Sequence, residues 1–143
     1  RIRALNELAR STQSNAPQDS IIYAEQALAL ARRVEDREGE VNSLVNLGAG
    51  YYYLADYDLA LERYDAGLRL AEEIGYEEGV ANALNNIGIL YAKKGREDKA
   101  AENLTEASRL LYEADNPLNV LDAVGWPAAV PWPRTAWRAR SDP

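Results

Sequence analysis

The 143-residue sequence contains no cysteine and no histidine. The first absence excludes disulfides, thiolate metal sites, iron–sulfur clusters and cysteine nucleophiles together. The second removes the commonest general base, the commonest metal ligand and every Ser–His triad. Positive charge is scarce, with 16 basic residues against 23 acidic ones and a formal net charge of −7. A net-acidic chain is poorly suited to wrapping nucleic acid or lying on anionic lipid, so neither nucleic acid nor membrane is expected as a partner. No apolar run approaches the length of a bilayer span, and a cytoplasmic location is the expectation. The chain begins at Arg1 rather than Met, which reads as a trimmed piece of a longer protein, so any targeting signal of the parent is not visible in it.

What is present is 47% apolar and 27% charged, the balance of a soluble globular domain with no need of a covalent staple. No cofactor and no metal are expected. The densest carboxylate clusters, Glu72–Glu73 and Glu77–Glu78, read as solvated charge and lack EF-hand spacing. Gly48–Ala49–Gly50 lies inside a helical pattern rather than after a strand, so it is no phosphate loop. With no site constellation in view, an enzyme is not expected.

The composition changes near Gly125. The last 18 positions hold all three tryptophans (Trp126, Trp132, Trp137) and four of the six prolines. They carry Arg134, Arg138 and Arg140 against Asp142, a net of +2, which leaves 13 basic and 22 acidic residues, a net of −9, in positions 1–125. Residues 1–125 are therefore read as one domain and 126–143 as a Pro/Trp-rich tail outside it.

Positions 41–80 align with 81–120 without a gap. Asn42 falls on Asn82, Leu44 on Leu84, Asn46 on Asn86, Gly48 on Gly88, Tyr51 on Tyr91 and Ala60 on Ala100. Within a unit, Val41, Leu44, Leu47, Gly48 and Tyr51 recur at three and four residues, one face of a helix. Ala60, Leu61, Tyr64, Leu68 and Ala71 mark a second helical face, and Gly75 and Gly95 punctuate. Each unit is thus a helical hairpin with a one-sided apolar stripe, which needs a stacked neighbour to bury it. A worn first unit occupies about 1–40. Its second helix matches at an offset of 40, through Ser20, Ala24, Ala27, Leu28 and Ala31. Its first helix fits at 39, which sets Leu5 on Leu44, Leu8 on Leu47, Ala9 on Gly48 and Thr12 on Tyr51. One residue is then missing from the turn near Pro17. A fourth unit starts at Pro117 and stops at Gly125–Pro127.

These residues resemble the tetratricopeptide repeat family, in its variant of 40-residue rather than 34-residue period. The family's Leu–x–x–Leu–Gly–x–x–Tyr is matched by Leu44, Leu47, Gly48, Tyr51 and by Leu84, Ile87, Gly88, Tyr91. Its small–large–small second helix is matched by Ala60, Tyr64, Gly67 and by Ala100, Leu104, Ala107. Kinesin light chain, spindle-orientation adaptors and bacterial signalling arrays carry similar units. The resemblance implies an all-α, right-handed superhelical solenoid of three hairpins with a partial capping helix near 117–125. It also implies that Gly48 and Gly88 sit where the second helix crosses closely, and that the first helices line a concave groove.

Groove positions lie off the packing stripe. They are Arg3 and Arg10 in the first unit, with Asn6 and Glu7. The second unit offers Asn42, Val45, Asn46, Ala49, Tyr52 and Tyr53, and the third Asn82, Asn85, Asn86, Ile89, Ala92 and Lys93. An asparagine amide offers donor and acceptor together and suits a peptide backbone; relatives in the 40-residue variant use such a ladder. The alternative reading is that these amides cap helices, or bridge neighbouring ones through water. Three successive tyrosines cannot all face the core, because each helical step turns about 100°, so Tyr52 or Tyr53 is expected in or beside the groove. Arg3, Arg10 and Lys93 make the groove more basic than the rest of the molecule. Asn82 and Asn86 stand where family members that clamp a C-terminal carboxylate have Lys or Arg, which argues against that ligand.

The function expected is non-enzymatic binding of a protein or peptide partner in the groove. The alternative is a structural, regulatory or dimerisation segment of a larger bacterial signalling protein. For the tail, three readings stand: a linker to another domain, sequence foreign to the repeats, or a segment that docks on the array. In the docked reading Trp126 and Trp132 cover the open face along Leu104, Leu111 and Leu121, or support self-association.

Overall fold

A left-handed residue recurs every twenty positions and sets the punctuation of the fold. Glu35 (φ 58°), Ala55 (φ 62°), Gly75 (φ 69°) and Gly95 (φ 77°) each follow a helix. In each turn the next N–H reaches back five residues: Asp36 to Ala31 (2.8 Å), Asp56 to Tyr51 (3.0 Å), Tyr76 to Ala71 (2.9 Å) and Arg96 to Tyr91 (2.8 Å). This closure satisfies a helix-end carbonyl that would otherwise be orphaned. Asp36 and Asp56 then cap the following helices, their carboxylates accepting from the Gly39 (3.0 Å) and Leu59 (3.3 Å) amides.

The computed structural model describes residues 1–113, with side chains described through residue 110. They form α1 (Ile2–Thr12), α2 (Pro17–Arg33), α3 (Arg37–Tyr53), α4 (Tyr57–Ile74), α5 (Glu77–Lys93) and α6 (Glu97–Glu113), and no strand is found among them. The helices pair in chain order into three antiparallel hairpins, and α1, α3 and α5 stand side by side. The expected helix near 117–125, the tail 126–143 and any docking by Trp126 or Trp132 lie outside the described residues. None of the described helices is long and apolar enough to cross a membrane.

Two non-glycine residues hold the left-handed turns, which predicts a gain from glycine there. A side chain in this conformation is strained by roughly 1 kcal/mol. Ala55→Gly and Glu35→Gly are each expected to stabilise by about 0.5–1 kcal/mol, a little being lost to the greater freedom of glycine in the unfolded chain. Urea unfolding midpoints measure the gain.

The first turn confirms the missing residue. Its closing bond runs from Ala16 to Thr12 over four residues rather than five (2.7 Å), and it contains no left-handed residue. Ala9 is fully buried and shares a cluster with Ala24, as Gly48 lies on Tyr64 and Gly88 on Leu104. The offset of 39 therefore holds for α1. Leu8 is nevertheless 44% exposed where Leu47 is 2%, because no described element stands on that side of α1.

Two apolar clusters form the core. Ala9, Ala24, Leu28, Leu44 and Leu47 join the first hairpin to the second. Val41, Val45, Ala49, Ala60, Tyr64, Ala71, Ala83, Ile87 and Leu90 join the second to the third. α3 contributes to both, and every residue from Ser43 to Gly50 is buried. The one-sided stripe expected from the sequence is therefore wrong for α3. A middle helix with neighbours before, behind and beside it has almost no solvent face.

Candidate functional site

The concave side of α1, α3 and α5 encloses a cavity of about 570 Å³. α3 supplies Asn42, Val45, Asn46, Ala49, Tyr52 and Tyr53. α5 supplies Glu78, Asn82, Asn85, Asn86 and Ile89, α1 supplies Arg10, and Gln13 follows directly after α1. The spacings follow from helical geometry, since residues three and four apart share a face. Arg3 and Lys93 are exposed and do not line this cavity. With Arg10 balanced by Glu78, the expected basic groove is corrected to a lining of no net charge.

Each asparagine has its own situation. Asn46 is buried, and its Nδ2 donates to Asn6 Oδ1 (3.1 Å) and to the Asn6 carbonyl (3.3 Å). Ser43 Oγ lies 2.8 Å from the Gly39 carbonyl and 3.2 Å from Asn6 Oδ1, its one proton shared between the two acceptors. Asn46 thus clips α3 to α1, and its donor side is engaged within the fold. Asn6 and Asn46 meet as bond partners although they are not equivalent positions of the repeat.

Asn42 Oδ1 accepts a long bond from the Tyr76 hydroxyl (3.4 Å), and Asn86 Nδ2 donates to the Asn82 carbonyl one turn back (2.8 Å). Asn42 therefore keeps its NH₂ and Asn86 its carbonyl for other partners. Asn85 is 6% exposed, and its Oδ1 has no hydrogen-bond partner.

The aromatic end of the cavity is a tyrosine cluster. Tyr52 packs edge-on against Tyr53 at 5.2 Å between ring centres and tilted against Tyr57 at 5.7 Å. Tyr53 is 46% exposed, a large apolar face open to an occupant. Burial, then the neighbouring Tyr57 and Tyr53, push the Tyr52 hydroxyl above its ordinary range. Burial likewise raises Tyr76, although its bond to Asn42 opposes the shift. These hydroxyls stay protonated donors at neutral pH.

Tyr64 belongs to α4 yet lines the concave cavity. It lies against the bare backbone of Gly48, where a Cβ would come within 2.4 Å of its ring. The missing side chain on α3 is what leaves room for the ring there. Sequence reasoning did not place Tyr64, Gln13 or Glu78 in the groove. A signal for Glu78 existed, because 78, 82 and 86 continue one face of α5 by steps of four. Among the described residues no carboxylate cluster could hold a metal ion.

The family model described as tetratricopeptide repeat matches residues 1–73 and again residues 40–113. No curated protein matches the chain.

Proposed function

The chain belongs to the tetratricopeptide repeat family, and from that premise we propose that it is a non-enzymatic module whose groove takes an extended peptide segment of a partner protein. Repeats of this family generally mediate contacts between proteins. The observation that carries the reading is the pair of unengaged amide groups on the cavity wall, the NH₂ of Asn42 and the carbonyl of Asn86. A backbone C=O and N–H arriving from the groove each gain about 0.5–1.5 kcal/mol there. The free NH₂ of Asn42 and the carbonyl of Asn86 offer complementary contacts, and Tyr53 offers an apolar shelf.

Asn82 and Asn86 make no side-chain bond between helices among the described residues, so they test binding without disturbing packing. Asn82→Ala with Asn86→Ala is expected to weaken peptide affinity by about 1 kcal/mol or more for each residue. The melting temperature should hold or rise slightly, since alanine is the better helix former. The probe is a peptide selected from a random-sequence library on the purified chain, titrated by calorimetry. Affinity that survives the double change assigns the amides a structural role. A chain that retains no peptide, but pairs in solution through this face, favours the dimerisation role instead.

A further inference from the structure

The asparagines alone do not set the direction of a bound chain, because each amide offers a donor and an acceptor. Charge can. Arg10 on α1 and Glu78 in the first turn of α5 face the same cavity from the two helices that flank α3. Both are exposed, and every other lining residue is neutral. Neither belongs to any of the six ion pairs formed among the described residues. Glu7, one turn before Arg10 on α1, does not pair with it either. Two unpaired charges of opposite sign on opposite walls create a field across the groove.

We propose that the groove selects an extended segment carrying one acidic and one basic side chain, the acid against Arg10 and the base against Glu78, and so holds it in a single chain direction. This inference rests on the groove reading above. Arg10 stands in the last turn of α1 and Glu78 in the first turn of α5, so the two charges are offset along the helix axes as well as across the groove.

The test selects a random-sequence peptide library on the intact wild-type chain and on the charge-exchanged variant Arg10→Glu/Glu78→Arg, which keeps the net charge of −7. The wild type should enrich peptides with an acid and a base in fixed order and spacing. The best of them, synthesised, should bind about tenfold more tightly than its charge-exchanged counterpart, the effect of two solvent-facing pairs of ordinary strength. The exchanged variant should reverse that preference. Both positions are exposed, so the variant should stay folded, its melting temperature lowered a little by an acid in the last turn of α1 and a base in the first turn of α5. If it does not, Arg10→Gln and Glu78→Gln apply the same test, each abolishing the preference for one charge. Selected peptides that bind wild type and variant equally overturn this inference and leave the groove reading standing. Failure of both chains to retain any peptide overturns the groove reading and this inference with it.

Discussion

Gly48→Leu is expected to destabilise the fold by about 3 kcal/mol, near the top of the range for overpacked cores. Even a Cβ at this position would lie 2.4 Å and 2.6 Å from Tyr64 Cδ1 and Cε1. The Tyr64 ring cannot step aside, because it is 2% exposed and held by Val41, Val45, Ala49 and Ile87 in one cluster. Gly48→Ala should therefore also destabilise, although alanine improves helix propensity by about 1 kcal/mol. Gly88→Leu should cost less. Its nearest neighbour is the Leu104 side chain, with Cγ at 2.7 Å, which has more rotamer freedom than a trapped ring. Thermal melts should rank wild type, Gly88→Leu and Gly48→Leu in falling order. Equal melting of all three would contradict the close crossing of α3 and α4.

Tyr64→Ala is expected to destabilise by about 3–5 kcal/mol through lost burial and the cavity left behind. The first hairpin shows which change offsets part of that loss. There the crossing pair is Ala9 with Ala24, both fully buried, whereas the second hairpin pairs Gly48 with Tyr64 and the third Gly88 with Leu104. A methyl on one helix goes with a methyl on the other, and bare backbone goes with a large side chain. In a Tyr64→Ala background, Gly48→Ala recreates the first hairpin's pair. It should then stabilise rather than destabilise. The double-mutant cycle should give a coupling of about 1–3 kcal/mol. Additive effects would mean that the glycine and the ring do not share the same space.

The 40-residue period and the hairpin were legible because they rest on local rules, whereas the close-packed glycines came from the family resemblance. Apolar residues at three and four positions apart mark a helical face whatever surrounds it, and Gly75 and Gly95 mark left-handed turns. The shortened first turn was legible for the same reason: Ala9 in register with Gly48 required one residue fewer before Ser20. Eleven of the sixteen residues expected in the groove line its cavity, since the angle around a helix follows from sequence spacing alone.

What stands opposite each face was decided only by the tertiary structure. Spacing placed Asn46 toward the groove, but the approach of α1 brings Asn6 within 3.1 Å and turns the Asn46 amide to the fold's own use. Spacing gave α3 one apolar stripe, but two flanking hairpins bury it almost all round. Tyr64 reaches the concave side from the second helix because Gly48 leaves the space, which periodicity within either helix does not encode. Arg3 and Lys93 share the groove's helical phase yet do not line its cavity, while Glu78 does. The sequence by itself determined the helices, their turns and the direction in which each side chain leaves its axis. The stacking of three hairpins decided which of those directions meet, because contact depends on the distance between helices as well as on the angle around each one.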